Sequence, residues 1–111
     1  MTSYTIKRAV NECRVALEGD LTASLVPELQ AALKQQLEQG ASEVVFDLEK
    51  TAVLDSTGIG LMIAVSNSLA RRQGKMRVLG VSRDILQLLQ SMRLVARLNA
   101  TARPTTEAAH G

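Results

Sequence analysis

The chain has 111 residues, of which 46% are apolar and 22% charged, and its formal net charge is +2. That length suits one domain with a real core, and that composition excludes a disordered acidic or basic tail as the whole protein. One cysteine, Cys13, and one histidine, His110, exclude an internal disulfide and a Cys/His zinc site, so no metal and no cofactor are expected and the natural setting is a reducing one.

The first ten residues, MTSYTIKRAV, lack the apolar core of a secretory leader, and the longest apolar-rich run, Ile59 to Val65, is far short of the ~20 residues of a membrane span. A cytoplasmic protein without membrane contact is the expectation. Tyr4, Ile6 and Arg8 alternate with Thr5 and Lys7, and beyond Asn11-Glu12 the residues Cys13, Val15 and Leu17 alternate with Arg14, Ala16 and Glu18. This period of two predicts a pair of half-buried strands joined by a tight turn, the second ending at Gly19-Asp20. From Ser24 the period changes: Leu25, Leu29, Leu33 and Leu37 recur every fourth residue, with Pro27 in the first turn and Gly40 as the stop of a helix.

Val44, Val45, Phe46 and Leu48 follow one another almost without interruption, which suits a central strand covered on both faces. Ile59 to Gln73 carries a second helical pattern closed by Gly74, and Lys75 to Leu79 reads as a further strand. Ser82 offers an N-cap to a third helix whose apolar face is Ile85, Leu86, Leu88, Leu89 and Met92, and Leu94 to Leu98 reads as a short last strand. From Asn99 onward no apolar spacing remains. The predicted order gives an α/β fold, a mixed sheet of four to five strands with helices packed on it, as one domain over 1–98 followed by a poorly ordered tail over 99–111.

The stretch Val53-Leu-Asp-Ser-Thr-Gly-Ile-Gly60 has three readings. Asp55 or Ser56 can be the N-cap of the second helix, accepting a bond from a free amide of its first turn. With Ser56 as the cap, Thr57 is the first helical residue and turns to another face. A catalytic serine needs a glycine two residues earlier, where Leu54 stands, and a base, for which only His110 exists. A phosphate loop needs Gly-Lys-Ser/Thr at its end, whereas Gly58-Ile-Gly60 runs on into Leu61 and Met62. No enzyme is expected on these grounds. Arg71, Arg72, Lys75 and Arg77 form a weak basic patch, and with only Tyr4 and Phe46 as aromatics there is no stacking platform for nucleic acid.

On the second helix, Ile59, Leu61, Met62, Ile63, Val65 and Leu69 cover an arc of about 200°, roughly twice what one buried face requires. Either another helix of the fold or a docking partner covers the excess.

The motif D-S-T-G-I-G-L, preceded by VVFDL and EKTAVL, resembles the D-S-[ST]-G-[LI]-G signature of the STAS-domain anti-sigma factor antagonists. VALEGDL and GKMRVLGVSRDILQLLQSMRL extend the resemblance to about Ile6–Leu98. The resemblance implies that Ser56 is the phosphoacceptor, flanked by Asp55 and Thr57, with Gly58 and Gly60 leaving it accessible. It also implies an anti-sigma factor with serine kinase activity as partner and a serine phosphatase that resets the switch. Ile59, Met62, Ile63 and Thr22 are the expected partner contacts. Thr22 stands where the family usually carries an aspartate near the serine, and TTEAAHG is shorter than the family's C-terminal helix. The alternative within the fold is an adaptor in a transport or multi-protein assembly that phosphorylation does not switch; a small hydrolase or nucleotide-binding enzyme using Ser56 is the reading from another class.

Overall fold

The structure, a computed structural model, describes residues 3–103. Its elements in chain order are β1 (Tyr4–Ala9), β2 (Glu12–Leu17), α1 (Val26–Glu38), β3 (Glu43–Asp47), α2 (Ser56–Arg71), β4 (Lys75–Val81), α3 (Arg83–Ser91), α4 (Val95–Leu98) and β5 (Ala100–Ala102). The five strands lie in sequence order. β1 pairs antiparallel with β2 through the tight turn, and every later neighbour is parallel. Parallel neighbours need crossovers, and α1, α2 and α3 supply them. This is the mixed sheet with packed helices expected from the periodicities.

Alternation along the strands separates two faces. Cys13, Val15, Leu17, Val44, Phe46, Met76 and Val78 enter the core with Leu29 and Leu33 of α1, Leu61, Met62, Val65 and Leu69 of α2, and Ile85 and Leu89 of α3. Glu12, Arg14, Lys75 and Arg77 take the other face, where Arg14 faces Asp47 at 3.8 Å and Arg77 bonds Glu12 at 3.3 Å. Val45 lies on that second face, outside the core cluster yet only 1% exposed, with the long side chains of its register neighbours Arg14 and Arg77 on either side. The apolar run in β3 thus arises because arginine stems flank its outer face.

Two boundaries differ from the sequence reading. Leu94 to Leu98 is not a strand: Leu94 and Leu98 are both buried four residues apart, the spacing of one helical turn, and α4 closes at Asn99 in the left-handed region (φ 53°). The last strand is instead β5, inside the stretch from Asn99 assigned to a tail. Its short ladder with β4 is continued by Arg103, whose amide donates to the Val81 carbonyl at 3.0 Å and whose guanidinium donates to the carbonyls of Gly80 and Leu48 at 3.1 and 3.2 Å. These bonds, with Ala100 buried in the core, hold that segment. The rest of the expected tail, with His110, lies outside the described residues. Ser82 caps α3 as expected, accepting from the Ile85 amide, and Gly40 follows α1 with φ 101°. Among the described residues, no helix is long and apolar enough to cross a membrane.

Candidate functional site

The parallel strands β2 and β3 run side by side, so the loops that leave their C-terminal ends, residues 18–25 and 48–55, are neighbours. They are laced together. The Thr51 hydroxyl donates to the Gly19 carbonyl at 2.8 Å; the amides of Ala52 and Val53 donate to Asp20 Oδ1 at 3.3 and 3.0 Å. The Leu21 amide donates to the Val53 carbonyl at 3.1 Å, and the Asp55 amide to the Leu21 carbonyl at 3.3 Å. Between those bonds Leu21 and Leu54 form an isolated parallel bridge, and both side chains are buried. Lys50 meets Glu18 at 3.2 Å on the rim.

Asp55 ends the lacing and begins α2. Its backbone is extended (φ −97°, ψ −179°), the conformation an N-cap adopts. Oδ1 accepts from the Gly58 amide at 3.0 Å and from the Thr57 hydroxyl, while Oδ2 accepts from the Ala23 amide at 3.0 Å in the other loop. The Thr57 hydroxyl, then the Gly58 amide, hold the Asp55 carboxyl below the usual carboxylate range, against a smaller opposing effect of burial. Asp55 is therefore ionised at neutral pH and spent on structural donors, which makes it a poor general base.

Ser56 is consequently the first helical residue rather than the cap, and α2 begins three residues earlier than its apolar pattern suggested. It is exposed and takes no part in the lacing, whereas the neighbouring Thr57 hydroxyl is committed to Asp55. That bond makes Thr57 part of the cap.

The two glycines of the motif differ. Gly58 is buried, and a Cβ there would lie 2.6 Å from the Leu21 carbonyl oxygen, 2.8 Å from Leu21 Cγ and 2.9 Å from Leu54 Cδ1. It lets the start of α2 press against the laced loops. Gly60 is exposed with nothing within 4 Å of the equivalent position.

The expected partner contacts separate as well. Ile59 and Met62 are 4% and 0% exposed and belong to the core cluster, so they cannot reach a partner without α2 leaving its seat. The wide apolar arc of α2 is largely covered by its own fold, which packs it on β4 and against α1 and α4. Ile63 is half-buried against the core, and Thr22 is half-buried with its hydroxyl 3.3 Å from that of Ser24. A groove of about 230 Å³ between α1 and α2, lined by Leu33, Lys34, Leu37, Leu61 and Val65, does not include Ser56. The basic patch is divided: Arg72 donates to the Leu37 carbonyl at 2.8 Å and Arg77 to Glu12 on the sheet. Among the described residues, no group of three or more His, Cys, Asp or Glu side chains could hold a metal.

Sequence reasoning missed Asp20, which organises the second loop through two amides, and Val53, which is 51% exposed beside the site. The signal for Val53 was its apolar side chain in a loop, outside any helical or strand period.

The STAS domain profile matches residues 3–109. The anti-sigma-B factor antagonist of Staphylococcus aureus (strain NCTC 8325 / PS 47) is 32% identical over 76 residues, covering 68% of this chain and 70% of that protein. The anti-sigma factor antagonist SpoIIAA in its unphosphorylated form superposes with a TM-score of 0.80 at 20% identity, over 96% of this chain and 92% of that one. The Bacillus cell fate determinant SpoIIAA in its phosphorylated form gives 0.75 at 20% identity, over 96% of each chain.

Proposed function

This chain belongs to the STAS-domain family of anti-sigma factor antagonists, and from that premise we propose that it binds an anti-sigma factor through the surface around Ser56 and lets go when Ser56 is phosphorylated. One observation carries the reading: Ser56 is the exposed hydroxyl at the start of α2, while each neighbour that could compete with it is tied down. The protein acts by binding. The partner is a serine kinase, and a serine phosphatase restores the bound state.

In the transfer, Ser56 Oγ attacks the γ-phosphorus of ATP and the bond to ADP breaks. The hydroxyl proton passes to a base on the kinase, because the Asp55 carboxylate, its pKa lowered, already accepts from Ala23, Thr57 and Gly58 and is a poor base. The phosphate then carries about −1.5 to −2 charges at a helix N-terminus, which favours an anion by ~0.3–1 kcal/mol, so the fold tolerates it. Within a closed interface the balance reverses. Desolvating an unpaired dianion costs several kcal/mol, and each ~1.4 kcal/mol is tenfold in affinity. The ionised Asp55 next to it adds repulsion. The larger effect is at the interface, and the partner leaves with no rearrangement of the sheet.

The test is a titration of the purified anti-sigma factor from the source organism against wild type, Ser56→Ala, Ser56→Asp and enzymatically phosphorylated protein. Ser56→Ala should bind at least as tightly as wild type, and the phosphorylated protein should bind at least about tenfold more weakly. Equal binding by phosphorylated and unphosphorylated protein overturns the switch.

A further inference from the structure

We propose that Val53 is an apolar anchor for the anti-sigma factor, and that its own contribution to binding does not depend on salt; the inference rests on the reading of Ser56 given above. Val53 is 51% exposed, although Leu54 beside it is buried at 7%. Its outward side chain follows from the bridge between Leu21 and Leu54: successive residues of an extended segment point to opposite sides, so seating Leu54 in the core turns Val53 to solvent.

The main chain that presents Val53 is fastened at both ends of the residue. Its amide donates to Asp20 Oδ1 at 3.0 Å, and its carbonyl accepts from the Leu21 amide at 3.1 Å. A β-branched side chain on so constrained a backbone loses little freedom when a partner closes over it, which is what makes an exposed apolar group an efficient anchor. Among the described residues, Val10, Leu88 and Met92 are the other large apolar side chains that are exposed, and they lie on the β1–β2 turn and at α3. Val53 is the one that adjoins the phosphosite, three residues ahead of Ser56.

Charge decides the kind of surface that fits. From Thr51 to Ala70 the one ionisable carboxylate or cation is Asp55, and its oxygens are taken by Ala23, Thr57 and Gly58. Asp20, exposed beside Val53, is the other carboxylate of this surface, and its Oδ1 accepts the Ala52 and Val53 amides. A partner that closes over Val53 must bring an apolar patch, and a dianion appearing at the margin of that patch adds to the negative charge of Asp20 and Asp55.

The purified anti-sigma factor from the source organism is titrated against wild type, Val53→Ser, Val53→Ile, Leu88→Ser and Ser56→Asp at about 50 mM and about 500 mM salt, after melting curves show each to be folded. Val53→Ser should weaken binding about tenfold at both salt concentrations, Val53→Ile should restore it, and Leu88→Ser should bind as wild type. If Val53→Ser binds as wild type while Ser56→Asp loses the partner, the anchor is wrong and the phosphosite reading stands. If Val53→Ser weakens binding but Ser56→Asp does not, the anchor stands and the switch fails. A Val53→Ser effect that vanishes at the higher salt concentration overturns the apolar anchor, and no complex with wild type overturns both.

Discussion

Replacing Gly58 by alanine tests whether the start of α2 is seated as tightly as the site requires. The new Cβ would meet the Leu21 carbonyl oxygen at 2.6 Å, Leu21 Cγ at 2.8 Å and Leu54 Cδ1 at 2.9 Å. None of the three can give way cheaply. The carbonyl accepts the Asp55 amide, so moving it opens the bridge between the two loops, and Leu21 and Leu54 are buried at 0% and 7% exposure. Sliding α2 outward instead stretches the bond from the Gly58 amide to Asp55. Overpacking of this kind costs about 1–3 kcal/mol, and three simultaneous contacts place it near the upper end. Alanine returns about 1 kcal/mol of helix propensity, so the net loss is about 2 kcal/mol. For a chain of 111 residues that lowers the melting temperature by about 8 °C, measured by circular dichroism. A Gly58→Ala protein that melts at or above wild type would show that the loops and α2 are not in the contact described.

Gly60→Ala is the matched control: with open space at the Cβ position on an exposed helical face, it should stabilise by about 0.5–1 kcal/mol, and any destabilisation would count against the exposure of that face. Val10→Gly should also stabilise, because Val10 holds φ 52° in the β1–β2 turn while 87% exposed; relief of about 1–2 kcal/mol of left-handed strain outweighs the extra freedom glycine has when unfolded, leaving about 1 kcal/mol in urea titration. Asp55 should impose a pH dependence of definite sign. Its carboxyl is lowered on folding by the Thr57 hydroxyl and the Gly58 amide, so its contribution is complete above about pH 4 and is lost as pH falls through the lowered value. The difference in melting temperature between wild type and Asp55→Ala should be constant from about pH 5 to about pH 8 and shrink below about pH 4; a gap unchanged to about pH 2.5 would rule the cap out as its source.

Much of this protein is written in local periodicity. The alternation around Ile6 and Val15, the fourfold spacing of Leu25 to Leu37 and the turn signals at Gly40 and Gly74 are read within a few residues, because backbone geometry converts them directly into strands and helices. The motif around Ser56 is local in the same sense, so the family resemblance and the start of a helix at that point were legible before any fold was known. Tertiary structure decided the rest, wherever the deciding partner is remote in sequence. Leu94 and Leu98 have the apolar character of a strand or of a helical turn, and only the core beneath them selects the turn. Ile59 and Met62 belong to an apolar arc that could face a partner or the interior, and the packing of α2 on the sheet, α1 and α4 places them inside. Gly58 and Gly60 are the same residue two positions apart, yet the laced loop from β2 presses on one and leaves the other open. The hydroxyls of Ser56 and Thr57 are adjacent in the same way, and the carboxylate that commits Thr57 is itself fixed by Ala23, thirty-two residues away along the chain. Sequence supplies the groups; which of them remain free depends on which distant backbone amides and carbonyls the fold brings within hydrogen-bond reach.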